Sequence, residues 1–371
     1  MKIPFFVQEF TSEMEEAAIH ALRNESFVGG ESVSKFEEEF AAYTGTKYAV
    51  SVSSGNSALQ ISLMALGISD NGKPAPGTTA PHNSRVITPT NSFIASANCI
   101  RMVNAEPILA DIDLRDGGID MNSISSVDAE TAHAIIPVHI YGNPCDFDSV
   151  QEVVMDNTLI VEDACQAHGA TYKGKKVGSL GDVGCFSFYP TKNMTVAGDG
   201  GMTTTDNEEI ALKIKSIRDN GRKTKTEFDK LGSTMRLNTV NAAIGRVQLK
   251  HLDEKNARKR EIVSIYRKNL ANDCILPENE NGKSVYHQIV IKHKKRDQIR
   301  QKLTDNDIGS AIYYETPIHL QPIYQEIERD DDYELPNSEK FSKEIMSLPS
   351  YPSLTDEQIL VICEHVNKII S

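Results

Sequence analysis

Through its first two thirds the chain alternates short apolar, β-rich runs with stretches of helical periodicity, and that rhythm leaves few folds open. Tyr48–Val52, Val86–Thr88, Pro107–Ala110, Ala134–Val138 and Thr158–Val161 read as strands. Between them, Asn56–Leu66 and Ser92–Met102 read as helices, the first with Leu59, Ile61, Leu63 and Met64 as apolar surface. Short apolar strands separated by helices imply an α/β fold whose sheet is mainly parallel and covered on both faces. A long helical pattern then runs from near Asn238 towards Leu270 through Ala242, Ile244, Val247, Leu249 and Leu252. Beyond it the rhythm changes: His287–Ile291 and Ile308–Tyr313 read as strands, and Asp297–Leu303, Glu339–Met346 and Thr355–Ile369 as helices. This change places a domain boundary near residue 250, between a large domain over 1–250 and a smaller α/β domain over 251–371.

The 371 residues suffice for two such bodies. Lys and Arg number 39 against 52 Asp and Glu, a net charge of -13, which argues against nucleic acid or an anionic membrane as partner. The N-terminus, Met1 to Glu9, has no long apolar stretch of the signal-peptide kind, and no segment reaches the length of a membrane span. The six cysteines are scattered without a CxxC, so they read as free thiols of a cytoplasmic protein. No metal site is expected from the ten dispersed histidines. Residues 69–84, rich in Gly, Pro, Ser and Asn, read as a long surface loop.

Three segments carry candidate chemistry. Ser53-Ser54-Gly55-Asn56-Ser57 lies between a strand and a helix, where free N–H groups and small donors suit a phosphate. An ordinary helix cap explains the same residues, and on this segment alone is the favoured reading. Asp163, in Val161-Glu162-Asp163-Ala164-Cys165-Gln166-Ala167-His168, stands where an apolar strand ends. Such ends face the ligand crevice of open α/β sheets, so the carboxylate could pair with a cationic heterocycle or simply cap a turn. His168 reads as structural. Lys192 follows the run Phe186-Ser187-Phe188-Tyr189-Pro190-Thr191 and precedes the cluster Gly198-Asp199-Gly200-Gly201. A lysine there is usually solvated, whereas one that forms a Schiff base needs partial burial to lower its pKa.

Together these segments resemble the DegT/DnrJ/StrS sugar aminotransferases, a branch of the fold-type I enzymes that use pyridoxal 5'-phosphate. The resemblance also takes in Phe27–Val33, Phe36–Ala41, Pro137–Gly142, Arg236, Ala242–Leu249, Pro317–Pro322 and Leu348–Thr355, all in family order. It implies a large domain with a central sheet of seven-strand type and a smaller C-terminal domain. It implies that Lys192 holds the cofactor as a Schiff base and moves the reacting proton, and that Asp163 faces the pyridine nitrogen. Gln166 matches the residue near the phenolic oxygen, and Phe93 the aromatic that stacks on the ring, although core packing would also explain Phe93. Asn56, Ser57 and Ser187 match the phosphate cradle. In the family a partner chain completes that cradle with Asn-x-Arg, here Thr234-Met235-Arg236, where threonine lacks the reach of an amide. Arg236 and His319 match positions near the substrate. The 69–84 loop departs from the resemblance, since many relatives have a short turn there.

The resemblance thus implies transamination from an amino acid, usually glutamate, to a keto sugar, typically nucleotide-linked, by a homodimer with shared sites. Other readings stand beside it: a sugar dehydratase or isomerase of the same fold, against which Lys192 argues, and a regulatory protein that binds the cofactor without turnover.

Overall fold

A computed structural model describes residues 2–68, 84–327 and 334–371. The loop expected at 69–84 falls almost wholly outside them. Nine strands form among the described residues up to 205: β1 (Tyr48–Val52), β2 (Arg85–Pro89), β3 (Glu106–Ala110), β4 (Ala134–Ile135), β5 (Leu159–Asp163), β6 (Thr171–Tyr172), β7 (Lys175–Lys176), β8 (Val183–Ser187) and β9 (Gly201–Thr205). Seven of them make one sheet in the order β1-β9-β8-β5-β4-β2-β3. The sheet is parallel except at β9, which runs antiparallel between β1 and β8. The strands are short and apolar because both faces are covered. Val50, Val52, Val86, Ala134, Val161, Val183 and Cys185 pack with the helix Gly55–Leu66 on one side. Ile87, Ile108, Ala110 and Ile135 pack towards Phe147 and Val150 on the other.

The helix Gly55–Leu66 starts where Ser54 Oγ accepts the Ser57 N–H, and stops at Gly67, whose left-handed φ of 81° ends it. The second expected helix begins later than its pattern, at Ala95. Ser92 at the head of the pattern stays outside the helix and turns its hydroxyl to Ser96 Oγ at 2.7 Å, while Thr90 and Asn91 just before it are bonded to the Ala110 carbonyl and to Gly117 O and Tyr141 Oη.

The long helical pattern is two helices, Thr239–Lys250 and Leu252–Asn269, broken at His251 (φ -101°, ψ 0°). The halves serve different cores. Ile244 and Val247 pack on Met14 of the helix Ser12–Asn24, and His251 Nε2 reaches Glu13 on that helix at 2.8 Å. Ile262, Val263 and Tyr266 belong instead to a C-terminal core with Ile299, Leu303, Ile359, Ile362 and Val366. A short hairpin partner, β10 (Gly282–Lys283), extends β6 and β7. In the C-terminal body β11 (Ile289–Lys292) pairs antiparallel with β12 (Ile345–Leu348). That pairing ends the helix expected to run to Met346 at Glu344. The strand expected over Ile308–Tyr313 does not form. Its residues divide their single bridges between Ile3 and Ser347, so no ladder builds. Ile3 joins the C-terminal core through these contacts.

Candidate active site

The carboxyl ends of β1 and β8 lie level, and β5 ends two residues short of them. Gly201 pairs with Val52 on one side and Ser187 on the other, and Cys185 pairs with Asp163. Two glycines permit the close approach. A Cβ at Gly201 would lie 2.3 Å from the Ser54 carbonyl oxygen, and one at Gly55 would lie 2.6 Å from Ser187 Cβ and 2.9 Å from Cys165 Sγ. Only hydrogen at these positions lets the Ser53–Ser57 turn, Ser187 and the loop after Asp163 share one corner. Ser57 Oγ is 3.0 Å from Ser53 Oγ and 2.9 Å from Ser54 Oγ. Ser54 also caps the Ser57 N–H and, through its carbonyl, the Ala58 N–H. The first-turn N–H groups of Gly55 and Asn56 therefore point out of the helix end, the geometry that receives an anion. The Asn56 amide itself turns aside to Met102 Sδ at 3.8 Å.

Asp163 is buried at the end of β5, with Ser96 Oγ donating to Oδ2 (2.7 Å) and the Cys165 N–H to Oδ1 (3.2 Å). Ser92 Oγ is 2.7 Å from Ser96 Oγ and extends this relay. Gln166 is buried too. Its Oε1 accepts the Tyr141 N–H at 2.9 Å and its Nε2 donates to Tyr314 Oη at 3.3 Å. Phe93 is 57% exposed, so it is not a core residue, and its ring lies 6.2 Å from that of Tyr314.

Lys192 sits in the turn after β8, its N–H donating to the Tyr189 carbonyl at 2.9 Å. Burial pushes its amine below the ordinary lysine value, against the opposing pull of Cys165 and Asp163. A lysine so placed holds a larger share of neutral, nucleophilic amine near neutral pH than a solvated one. His168 packs between Phe186 and Phe188, ring centroids 5.5 and 5.8 Å away. Burial and the Lys192 charge push it down to about 3, so it is a neutral packing group.

The structure therefore brings Asn56, Ser57, Phe93, Asp163, Gln166, Ser187 and Lys192 to one end of the sheet. His319 is close by in the chain's own fold: Nδ1 is 2.8 Å from Thr90 Oγ1, just beyond β2, and Nε2 is 3.7 Å from Glu339. Burial lowers its pKa. Thr234 and Arg236 point elsewhere in this chain, Thr234 Oγ1 to Asn220 at 3.4 Å and Arg236 to the Asp219 carboxylate. Their segment nonetheless passes the cradle, because Met235 O accepts the Ser53 N–H at 2.8 Å. Sequence reading missed Ser96, Tyr141 and Tyr314. Ser92 and Ser96 at i and i+4 were a signal, since that spacing shares a helix face. Tyr314 comes from a remote segment and left none.

The DegT/DnrJ/EryC1/StrS aminotransferase family model matches residues 8–367. A pleiotropic regulatory protein of Geobacillus stearothermophilus is 34% identical, covering 97% of this chain and 95% of its own. The dTDP-3-amino-3,4,6-trideoxy-alpha-D-glucose transaminase of Streptomyces venezuelae is 32% identical, covering 99% and 96%. Among solved structures, S. venezuelae DesV in complex with a ketimine intermediate superposes with a TM-score of 0.89 at 32% identity, covering 96% of this chain and 94% of that one.

Proposed function

The chain belongs to the DegT/DnrJ/EryC1/StrS aminotransferase family and is a pyridoxal-phosphate-dependent sugar aminotransferase; from that premise we propose that it carries an amino group from glutamate to a nucleotide-linked keto sugar, with Lys192 as the reactive amine. The observation that carries the assignment of Lys192 is its place in the turn after β8, beside the corner where Ser187, Gly55 and Cys165 meet and next to the strand that ends in buried Asp163; the lowering of its amine pKa agrees with that place.

The residues present fit the cofactor. The corner that a Cβ at Gly55 would fill is bounded by Ser187 and faced by a helix N-terminus, which suits a phosphate. When bound, pyridoxal phosphate would supply an electron sink for the electron pair left on the donor's α carbon as its proton departs. Asp163, held at both oxygens by Ser96 and Cys165, keeps a proton on the pyridine nitrogen through its charge. Lys192 Nζ takes the proton from the donor's α carbon and returns one on the sugar half of the cycle. Ser57, Ser187 and the N–H groups of Gly55 and Asn56 bind the phosphate. Gln166, fixed between Tyr141 and Tyr314, orients the phenolic oxygen, and Phe93 covers the ring face. His319 contacts the sugar or nucleotide.

We also propose two domains, 1–250 and 251–371, in a cytoplasmic homodimer. Exposed Phe27 (67%), Phe228 (53%) and Leu231 (86%) support a covering partner, and Val28 bridges Asn238 beside the Thr234–Arg236 segment. That segment would serve the neighbouring subunit's cradle.

The regulatory relative supplies a second reading, a cofactor-binding regulator without turnover. A half-reaction separates the two. Purified protein loaded with pyridoxal phosphate is mixed with glutamate alone. Loss of the bound-cofactor absorbance with stoichiometric 2-oxoglutarate is the expected result. A stable spectrum with glutamate and with other amino donors would sink the transferase reading.

A further inference from the structure

Lys259 lies on the helix Leu252–Asn269 and is buried, yet among the described residues no carboxylate offsets its charge. Its ammonium instead donates to three neutral oxygens: Asn193 Oδ1 at 2.9 Å, and the carbonyls of Tyr286 and His287 at 3.2 Å each. A buried cation without a counter-ion is costly, and an apolar side chain of similar length would fill the space more cheaply. Directional bonding is what lysine adds here, and its three donors are all used.

The acceptors belong to parts of the chain that must stay in register around the site. Asn193 follows Lys192 directly. Its Nδ2 donates to Asn256 Oδ1 and to the Val285 carbonyl, both at 2.9 Å. Asn256 Nδ2 donates in turn to the His168 carbonyl at 2.8 Å, in the loop behind Asp163. The Val285–Gln288 segment is tied on its other side to Gly142 and Tyr141, and the Tyr141 N–H is the donor that fixes Gln166. Packing around the lysine turn is incomplete: an open pocket of about 60 Å³ borders it, lined in part by Lys192, Asn193, Asn256, Lys259 and His287.

We infer that Lys259 is a positioning residue for Lys192: its ammonium clamps Asn193, and so the turn carrying the reactive lysine, to the Val285–His287 segment and the loop behind Asp163. The inference rests on the reading of Lys192 as the cofactor lysine and adds a residue to it. Lys259 touches neither cofactor nor substrate. Its loss would let the turn shift into the cavity, changing how fast and with what amine pKa Lys192 engages an aldehyde.

The test measures capture of pyridoxal phosphate by the apo-protein, from the rate of the absorbance change and its pH midpoint, with borohydride fixing to locate the adduct. Lys259→Met is expected to slow capture about tenfold or more and to move the midpoint, while Lys259→Arg, which keeps a charged donor, recovers most of the rate. Asn193→Ala is expected to match Lys259→Met, with the double variant no worse than either. A folded Lys259→Met with wild-type rate and midpoint would overturn the inference, as would effects that simply add. If Lys259→Met does not fold, the Arg variant and Asn193→Ala carry the test: wild-type capture in Asn193→Ala overturns it. Wild-type protein that captures no cofactor on Lys192 removes the functional reading itself, which the variants alone cannot do.

Discussion

At the scale of single residues, the site depends on charges held where water would normally screen them. Asp163 is the clearest case. Ser96 and the Cys165 N–H fix its two oxygens, so a neutral amide of the same shape would keep the fit and lose the charge. Asp163→Asn should retain bound cofactor and lower the rate of the glutamate half-reaction by about 100-fold or more, followed by stopped-flow absorbance. Near-normal turnover would make Asp163 a turn cap. Lys259 gives a pH prediction. Burial pushes it down to about 7 from 10.5, so between those values the unfolded chain binds the proton that the folded chain has released. Its stability cost is therefore full below the lower value and fades as pH rises towards the upper one. His287 beside it is pushed well below the ordinary range by burial, Lys192 and Lys259, and stays neutral throughout. Urea unfolding at about pH 7 and about pH 9.5 should show wild type gaining more stability with pH than Lys259→Met.

At the scale of elements, the site is supported by a second buried carboxylate one residue before Asp163. Glu162 on β5 accepts from His139 Nε2 at 3.0 Å and from the N–H groups of Gly178 (2.7 Å), Leu180 (2.6 Å) and Gly181 (2.8 Å). It ties the turn that leads into β8 to the strand that carries Asp163. Glu162→Gln turns one acceptor into a donor facing donors, and should cost about 3 kcal/mol of stability, read as a lower urea midpoint. Strand β1 matched its pattern residue for residue because Tyr48–Val52 is apolar but for Ser51 and is followed by the turn residues Ser53–Gly55. Strand β9 was not legible, since Met202 is its one large apolar residue. Its buried threonines instead bond the carbonyls of Val50, Gly178 and Asp182. The break at His251 was hidden for a related reason: the apolar period continues through it, and only the partner helix bearing Glu13 shows why the direction changes. Lys192 and Asp163 could be singled out because a glycine cluster and a strand end mark them, whereas Ser187 came only with the family resemblance. Ser96, Tyr314 and Lys259 gain their roles only from tertiary contacts that local pattern does not encode.

At the scale of the whole molecule, the question is whether one chain holds a complete site. The Thr234–Arg236 segment touches its own Ser53 turn by backbone, yet Thr234 and Arg236 direct their side chains to Asn220 and Asp219. The neighbouring segment 222–231 ends in the 86% exposed Leu231, an arrangement that makes sense if a second copy covers it. A two-fold dimer would let each chain give and receive the same groups. The proposal can be tested with two inactive variants, Lys192→Ala and Arg236→Ala, which are mixed and allowed to exchange subunits. If Arg236 serves the opposite site, a mixed dimer places both defects in one site and leaves the other intact. Random exchange of equal amounts should then restore about a quarter of wild-type activity, because about half the dimers are mixed and each has one working site. If Arg236 serves its own chain, every site carries a defect and nothing returns. No recovery despite exchange confirmed by native mass spectrometry, or full activity in a species that sediments as a monomer, would exclude the shared site.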